Sequence, residues 1–339
     1  MTVPPPTAAL DLALAAPELE AAVREGLERV EDRLLEAVAQ ADQLADATAS
    51  HLVRAGGKRV RPMLTLLASH LGDPGRPEVE EAAVVIELTH LASLYHDDVM
   101  DSAPLRRGAP AAHEVWGNTV AILTGDLLFA RASRIVAGLG AEAVQIQART
   151  FERLCLGQLH ETVGPAPGED SVAHYLRVLA DKTGSLIATA ARFGAMFGGC
   201  DDAVQGVLIE YGERLGVAFQ LADDVIDLAS DGGVSGKTPG TDLREGVPTL
   251  PVLLARRSAA TQGDLASLEV VRLLGGDLSD DDHLSRAVCA LRDHPAMDAA
   301  RAQAQGWATR AVEALEPLCD GLPKAALAAF AEALADRTR

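Results

Sequence analysis

Two short acidic motifs carry the residue types and the spacing best suited to chemistry. HDDVMD contains Asp97 and Asp101, and ADDVID contains Asp223 and Asp227, so the members of each pair are four positions apart. On a helix, such residues lie on one face about one turn, ~5.4 Å, from each other. Paired carboxylates repel one another, and the negative end of a helix dipole adds to that cost. We therefore expect a cation, and Mg²⁺ fits best because it prefers carboxylate and phosphate oxygens.

The alternative for a single motif of this kind is a solvated helix end. Two copies, each ending an apolar helix and each close to basic residues, favour the metal site instead. The acidic clusters Asp201–Asp202 and Asp280–Asp282 differ, because they lie in loops before predicted helices. Carboxylates at such positions cap a helix and complement its dipole, so we assign them no chemistry.

Basic residues near the acidic motifs could bind an anion beside the metal. RAGGKRVRP holds Lys58, Arg59 and Arg61, and its two glycines let the backbone approach a ligand closely. Pro62 suits the first turn of a helix, whose free N–H groups would add positive potential. A solvated basic turn is the alternative for this stretch taken alone. Further basic residues are Arg106, Arg107, Lys182 and Lys237.

These cations and the acidic motifs suit one ligand, a diphosphate bridged by Mg²⁺, because lysine and arginine can bind the remaining oxygens. The sequence GKT at 236–238 does not make the protein a P-loop nucleotide-binding protein. That motif needs a glycine five residues before Gly236, where the chain has Asp231, and it follows a strand rather than a helix.

Composition indicates a helical and acidic protein. Of 339 residues, 48% are hydrophobic and only 3% aromatic, and alanine and leucine, which cost least in a helix, dominate. The formal net charge of -19 argues against general binding to nucleic acid or to an anionic bilayer. No uninterrupted apolar run of about 18 residues predicts a membrane span, and the N-terminus lacks the basic region of a signal peptide.

The four cysteines show no CxxC spacing, so neither a disulfide framework nor a zinc site is predicted. We expect them to be small buried hydrophobic residues in a reducing environment, and we predict a cytoplasmic location. They are Cys155, Cys200, Cys289 and Cys319.

Apolar residues recur at three- and four-residue spacing along most of the chain, which predicts helices, and no two-residue alternation is long enough to predict a sheet. We predict a loose segment at 1–15 and a single all-α domain at 16–339 with a central apolar cavity. The helices that end in the two acidic motifs should face each other across that cavity. Besides a first helix from about residue 16, the predicted helices cover 62–71, 78–101, 113–138, 141–163, 171–198, 202–230, 248–260, 264–274, 280–292, 297–316 and 322–336.

From about residue 50 to 255, the chain resembles the trans-prenyltransferases, the all-α isoprenyl (polyprenyl) diphosphate synthases. The resemblance rests on ordered motifs: GGKRVRP, a DDxxD followed by RR, a KT pair, FQLADDVIDL and GKTPGTDLREGVPTLP. It implies head-to-tail condensation of isopentenyl diphosphate with an allylic diphosphate. It also implies about three Mg²⁺ ions per active site, and a homodimer.

The resemblance assigns a role to each matching residue. The metal ligands would be Asp97, Asp98, Asp101, Asp223 and Asp227. The isopentenyl diphosphate site would comprise Lys58, Arg61, His90 and Arg107. The allylic diphosphate would contact Arg106, Lys182, Gln220 and Lys237. Catalysis would centre on Lys182, Thr183, Asp97 and Asp223, with Thr183 and Phe219 lining the reacting centre.

His90 and Val247 are special cases among the positions compared with the family. A lone histidine such as His90 on an apolar helix is usually a core residue, and only its match to the motif assigns it a role. The family often has a second lysine where this chain has Val247, so the resemblance implies that Lys237 is the only cation on that side.

Small residues before the first acidic motif predict an open tunnel for the growing prenyl chain. Thr89, Ala92 and Ser93 precede Asp97 on the same predicted helix, and Phe219 comes from the second motif. One isoprene unit is about as long as one helical turn, so we predict a long product of about 30 to 45 carbons. A geranylgeranyl or farnesyl diphosphate synthase is the alternative, since a residue from another helix could close the tunnel.

Two other classes of protein share part of this pattern. A terpene cyclase shares the all-α fold, but it would pair one acidic motif with a different metal motif and an aromatic-rich pocket. A non-catalytic subunit of a heteromeric synthase would be expected to lack the acidic motifs, and both are intact here.

Overall fold

The computed structural model describes residues 16–229 and 239–336, and almost all of its regular structure is helical. The predicted all-α fold is therefore confirmed. The first ten helices are α1 (Pro17–Val38), α2 (Gln43–Arg54), α3 (Val60–Ser69), α4 (Pro77–Met100), α5 (Ala112–Trp116), α6 (Asn118–Gly138), α7 (Ala141–Val163), α8 (Ser171–Leu179), α9 (Ser185–Phe197) and α10 (Asp202–Ala229).

The later helices are shorter on average and follow the Gly-rich stretch after the second acidic motif. They are α11 (Thr241–Arg244), α12 (Leu250–Thr261), α13 (Leu265–Leu274), α14 (Asp281–Arg292), α15 (Pro295–Ala314) and α16 (Leu322–Asp336). A π-helical turn, Ala180–Gly184, joins α8 to α9. Two short strands, β1 (Leu105–Arg106) and β2 (Ala109–Pro110), pair antiparallel.

Several features are not predicted from the sequence, among them the π-helical turn within the predicted helix 171–198 and the short helix α11. Helix α2 lies where no periodic apolar pattern was recognised, and Asp42 caps it by accepting a hydrogen bond from the Ala45 N–H at 2.9 Å. Gly117, at φ 83°, separates α5 from α6 within what was predicted as one helix. Strands of two residues are also too short to produce an alternation in the sequence.

The expectation of buried cysteines is wrong. All four thiols are free, and Cys155, Cys289 and Cys319 are exposed. In amphipathic helices such as α14, a small apolar residue can lie on the outer face at little cost, because its apolar area is small. The expected caps are present: Asp201 accepts from the Val204 N–H at 3.0 Å, and Asp280 accepts from the His283 N–H at 2.8 Å.

The contacts divide the chain into two compact units. Unit 1 comprises residues up to 153, 185–212 and 314–330, and unit 2 comprises 154–184, 213–313 and the residues from 331. In unit 1, α4 is the central helix, since it packs against α1, α3, α6 and α9. In unit 2, an apolar core joins α8, the end of α10 and helices α11 to α15.

Close backbone packing in unit 1 depends on small residues. A Cβ atom at Gly194 of α9 would overlap the carbonyl oxygen of Thr65 in α3 and lie 2.8 Å from the Ala68 Cβ atom. Among the described residues, no helix is both long and apolar enough to cross a membrane.

Substitution of Gly194 tests this packing. We expect Gly194→Ala to lower the free energy of unfolding by roughly 1–3 kcal/mol, because the new methyl group pushes α9 away from α3. The matched control is Gly206→Ala in α10, where an added Cβ meets nothing within 4 Å. That change should raise the free energy of unfolding by roughly 0.5–1 kcal/mol, as alanine does in an exposed helix interior. Urea denaturation measures both, and equal effects of the two substitutions would contradict the packing argument.

Candidate active site

The first acidic motif ends α4 in unit 1. The Asp101 N–H donates to the Asp97 carbonyl at 2.8 Å, so the helical spacing that places Asp97 and Asp101 on one face persists to the last turn. Asp97 is half-buried and Asp101 is exposed, whereas Asp98 is fully buried. The outer pair is therefore more accessible to a cation than Asp98.

Asp98 forms a buried ion pair with Arg106 of β1. The Arg106 Nε donates to Asp98 Oδ1 at 2.6 Å. Burial raises the pKa of Asp98, and the guanidinium of Arg106 opposes that shift. No donor among the described residues reaches Asp98 Oδ2, which is also buried. The carboxylate thus has one oxygen engaged by Arg106 and one that could accept from a bound group.

The acidic residues suit a hard divalent cation with incomplete protein ligation. Among the described residues, no three His, Cys, Asp or Glu side chains gather closely enough to hold a metal by themselves. Mg²⁺ commonly binds through one or two carboxylates and completes its octahedron with water and phosphate oxygens. Asp97 and Asp101 fit that pattern, because they supply two carboxylates on one face.

A cationic cluster surrounds His90, which lies two turns before the first acidic motif on α4. Burial lowers the pKa of His90 well below its usual value, and nearby guanidinium groups lower it further, so the imidazole is neutral at pH 7. These guanidinium groups belong to Arg61, Arg107, Arg59 and Arg106. Positive groups gathered around a neutral hydrogen-bonding ring make a site suited to a polyanion.

Two arginines of this cluster contact protein groups. Arg59 binds Glu31 through two hydrogen bonds of 2.8 and 2.7 Å, and it binds Glu87 at 2.7 Å. The guanidinium of Arg107 donates to the carbonyl oxygens of Leu52, at 3.1 Å, and Gly56. Lys58, which lies in the chain between Gly56 and Arg59, is exposed.

The second acidic motif lies in the last turns of α10 in unit 2. Asp223 and Asp227 are half-buried. The two carboxylate oxygens of Asp227 each accept a hydrogen bond of 3.3 Å from the N–H groups of Thr241 and Asp242. Asp227 therefore caps α11.

Asp224, between them, is buried and bound by neutral groups. The Tyr175 hydroxyl of α8 donates to Asp224 Oδ2, and the Gln220 amide approaches Oδ1 at 3.5 Å. Burial raises the pKa of Asp224 to about 7, although the hydrogen bonds from Tyr175 and Gln220 oppose the rise. Asp223 adds to the rise by charge repulsion.

The π-helical turn of unit 2 carries Lys182 and Thr183. The Thr183 hydroxyl donates to Gln220 Oε1 at 3.2 Å, and the Lys182 ammonium binds Glu161 at 2.6 Å. Glycine makes this arrangement possible, since a Cβ at Gly157 would lie 2.7 Å from the Lys182 backbone nitrogen. Such turns often occur at functional sites, because the extra residue redirects side chains.

The predicted tunnel residues lie on α4 with different surroundings. Ala92 and Thr89 are fully buried, and Ser93 is partly buried with its hydroxyl donating to the His90 carbonyl at 2.8 Å. The Gln147 amide of α7 donates to the Thr89 hydroxyl at 3.2 Å. Polar groups therefore contact this part of α4 two turns before Asp97. Phe219 of α10 is partly buried.

A Ser–His–Asp cluster in unit 2 is structural. The Ser267 hydroxyl bonds Asp264 Oδ2 at 2.6 Å and the His294 Nε2 at 2.9 Å. The His294 Nδ1 accepts from the Ala296 N–H at 3.1 Å, so Nε2 carries the proton and cannot accept one from Ser267. Ser267 is also fully buried, and this cluster therefore caps α13 rather than activating a nucleophile.

The structure thus places the predicted residues in two groups. Unit 1 holds Asp97, Asp98, Asp101, Lys58, Arg61, His90, Arg106 and Arg107. Unit 2 holds Lys182, Thr183, Gln220, Asp223 and Asp227. Lys237 lies outside the described residues. Sequence reasoning missed the partners Glu87, Gln147, Glu161 and Tyr175. An ionisable residue within an apolar helix, as with Glu87, was the one available signal.

Comparisons with known proteins define the family. The polyprenyl synthetase family model matches residues 42–289. A nonaprenyl diphosphate synthase of Mycobacterium tuberculosis is 47% identical over 313 residues, which cover 92% of each chain. The crystal structure of a polyprenyl synthase from Caulobacter crescentus, complexed with calcium and isoprenyl diphosphate, matches with a TM-score of 0.86 and 33% identity. That match covers 95% of this chain and 97% of the other.

A second solved structure is a geranylgeranyl pyrophosphate synthase from Corynebacterium glutamicum, also complexed with calcium and isoprenyl diphosphate. It matches with a TM-score of 0.83 and 40% identity, over 96% of this chain and 99% of the other. The all-α fold and these relatives define a prenyltransferase. The chain belongs to the polyprenyl synthetase family, which confirms the resemblance found in the sequence. Family membership favours a prenyltransferase over the terpene cyclase alternative.

Tyr175→Phe tests the role of the buried hydroxyl in unit 2. Loss of the donor to Asp224 should lower the free energy of unfolding by roughly 1–3 kcal/mol, because a buried carboxylate loses a partner. It should also raise the Mg²⁺ concentration for half-maximal prenyl transfer by roughly tenfold, since Asp224 adjoins Asp223.

The matched control is Tyr211→Phe in unit 1, whose buried hydroxyl donates to the Leu327 carbonyl at 2.7 Å. It should lose comparable stability and keep the Mg²⁺ dependence of the wild-type protein. If both variants shift the Mg²⁺ dependence alike, Tyr175 has no special relation to the second acidic motif.

Proposed function

We propose that the protein catalyses the Mg²⁺-dependent head-to-tail condensation of isopentenyl diphosphate with an allylic diphosphate, giving a long trans-polyprenyl diphosphate. The observation that carries the proposal is the arrangement on α4. An acidic pair, Asp97 and Asp101, ends the helix, and His90, two turns earlier, lies among guanidinium groups. Carboxylates for a metal and cations for phosphate oxygens suit a diphosphate better than any neutral substrate.

Relatives support the choice of ligands. The structures from Caulobacter crescentus and Corynebacterium glutamicum each contain calcium and isoprenyl diphosphate. Calcium and magnesium both prefer oxygen ligands, and magnesium is the smaller ion that commonly binds with substrate phosphates. We propose Mg²⁺ as the ion and Asp97, Asp101 and Asp223 as its ligands. Asp98, which is fully buried, and Asp227 would support them, as the sequence resemblance implies.

Bound Mg²⁺ would neutralise charge on the departing diphosphate and so favour ionisation of the allylic carbon–oxygen bond. Arg106, Lys182, Gln220 and Lys237 would bind that diphosphate. Lys58, Arg61, His90 and Arg107 would hold isopentenyl diphosphate, with the neutral imidazole of His90 acting as a hydrogen-bond donor.

The condensation forms one carbon–carbon bond, between the isopentenyl double bond and the allylic carbon. The diphosphate leaves with the electrons of the broken carbon–oxygen bond, and a proton is lost to restore a double bond. We propose that the released diphosphate accepts this proton. The Thr183 hydroxyl, oriented by Gln220 at 3.2 Å, would lie beside the reacting carbon and stabilise its positive charge with its oxygen.

A long product is the favoured outcome. Ala92 and Thr89 are small, and the relative from Mycobacterium tuberculosis is a nonaprenyl diphosphate synthase at 47% identity. A geranylgeranyl diphosphate synthase is the second candidate, favoured by the Corynebacterium glutamicum protein at 40% identity. The polar contact of Gln147 with Thr89 also favours a shorter chain, because an apolar tail loses favourable surroundings there.

We further propose a homodimer. Val115, Ile122 and Leu123 of unit 1 are large apolar residues with 50%, 42% and 60% of their surface exposed. Large exposed apolar residues close together in the chain often mark a protein interface. A second copy of this chain fits them, since the sequence resemblance implies a homodimer. Three expectations remain predictions. They are that residues 16–339 fold as one domain, that both acidic motifs bind one diphosphate, and that the protein is located in the cytoplasm.

Product analysis with farnesyl and geranylgeranyl primers tests the function. We expect Mg²⁺-dependent release of diphosphate, products of about 30 to 45 carbons on the length argument, and complete loss of turnover with a chelator. Asp97→Asn should reduce turnover by roughly 100-fold or more, because the metal loses a charged ligand.

The matched acidic control for that assay is Asp201→Asn, which alters only a helix cap. Its turnover should equal that of the wild-type protein. Chelator-resistant turnover would refute the metal dependence. Extension of the farnesyl primer only as far as geranylgeranyl diphosphate, with no extension of the geranylgeranyl primer, would replace the long-chain assignment by the second candidate.

Ala92→Phe tests where the prenyl tail lies. Ala92 is fully buried, five residues before Asp97 on α4. A phenyl ring there should block the tail and shorten the main product while condensation of the shorter primer continues. Radiolabelled product chromatography provides the measurement, and Ala83→Phe, also fully buried but 14 positions before Asp97 on α4, provides a control for overpacking. Unchanged product lengths in Ala92→Phe would place the tail elsewhere.

A further inference from the structure

One buried carboxylate on α4 lies outside every role assigned so far. Glu87 is three residues before His90, and 1% of its surface is exposed. A buried carboxylate is costly unless it is paired and hydrogen-bonded. The groups that pair with the Glu87 carboxylate therefore indicate its role.

Two arginines of the basic cluster meet at Glu87. The Arg59 Nη1 donates to Glu87 Oε1 at 2.7 Å, and the Arg107 Nη2 lies 3.7 Å from the same oxygen. Arg59 is also bound by Glu31. Burial alone would lower the pKa of Arg59, but the charges of Glu87 and Glu31 raise it above its usual value. Carboxylates thus hold Arg59 charged and in place, whereas burial lowers the pKa of Arg107 and the charge of Glu87 opposes that shift.

The two arginines hold the segment that contains Lys58. Before Lys58 in the chain, the carbonyl oxygens of Leu52 and Gly56 accept hydrogen bonds from Arg107. Directly after Lys58 comes Arg59. Arg59 donates also to the Val53 carbonyl at 3.1 Å.

The backbone of this region needs such anchors. Arg59 and Arg107 adopt φ angles of 47° and 54°. This left-handed conformation costs non-glycine residues energy, and it persists only where the surrounding contacts impose it. Gly57 is required as well, because a Cβ there would lie 2.7 Å from the Arg107 Cζ atom.

We propose that Glu87 is a positioning residue for the isopentenyl diphosphate site. It binds Arg59 and approaches Arg107, and these arginines fix the segment that presents Lys58 and leads into the first turn of α3, which carries Arg61. Glu87 does not touch the substrate in this scheme. The inference rests on the proposed function, because it takes the basic cluster to be the site of isopentenyl diphosphate.

The test is Glu87→Gln, which keeps the shape of the side chain and removes its charge. Arg59 and Arg107 then repel each other without a shared carboxylate, and the loop loses its set position. We expect the KM for isopentenyl diphosphate to rise between about tenfold and 100-fold, as small displacements in a binding site do. The kcat and the KM for the allylic primer should stay within about twofold of wild type, since neither depends directly on this loop.

Glu80→Gln is the matched control. Glu80 lies seven residues earlier on the same face of α4. Like Glu87, it binds an arginine, in this case Arg29 of α1 at 2.6 Å. Its kinetic constants should equal those of the wild-type protein. Glu87→Asp, which keeps the charge, should restore most of the affinity. Arg59→Lys, which keeps the charge but loses the planar two-pronged contact, should raise the same KM.

The outcomes separate this inference from the proposed function. Lys58→Ala and Arg61→Ala should each raise the KM for isopentenyl diphosphate, and if they do not, the assignment of the site itself is wrong. If they do and Glu87→Gln leaves that KM unchanged, or raises both KM values equally, Glu87 is structural only. Should Glu87→Gln fail to fold, the Arg59→Lys variant decides by the same split in KM, with Glu87→Asp as the variant expected to keep most of the affinity.

Discussion

Negative charge concentrated at the C-terminal end of α4 is the constraint on which the candidate site in unit 1 depends. Asp97, Asp98 and Asp101 lie where the helix dipole is also negative, so the chain must supply cations nearby. It does so by turning back through β1 and β2, which brings Arg106 to Asp98. Arg107 follows directly and approaches Glu87. One short hairpin thus serves two buried carboxylates.

The two acidic motifs are alike in sequence, yet their buried middle residues are stabilised differently. Asp98 is paired with the guanidinium of Arg106, whereas Asp224 accepts from the hydroxyl of Tyr175 and has no cation among its hydrogen-bond partners in the described part of the chain. Burial raises the pKa of both carboxyl groups, and it raises the pKa of Asp224 to about 7. A charged partner compensates burial more strongly than a neutral one. The outer residues of each motif remain more accessible, as the proposed metal ligands must be.

Basic residues in the site divide into those that can meet substrate and those that hold the protein. Lys58 is exposed, while Arg59 next to it binds Glu31 and Glu87. Unit 2 shows a related case, because Lys182 binds Glu161 at 2.6 Å beside the π-helical turn. A prenyltransferase that handles two diphosphates needs many cations, and carboxylates such as these keep them ordered without substrate.

The sequence by itself determined the helical class, most helix bounds, the two acidic motifs and the family, because periodicity and motif spacing are local properties. The helix 141–163 and the helix 322–336 begin and end where the pattern predicted. Only the tertiary structure decided which charged residues pair, since Glu87 lies 28 positions from Arg59 and Tyr175 lies 49 from Asp224. Side chains so far apart in the chain meet through packing, and spacing along one helix carries no record of it. The roles of Glu87 and Tyr175 therefore became visible only when burial showed that their partners could not be left unpaired.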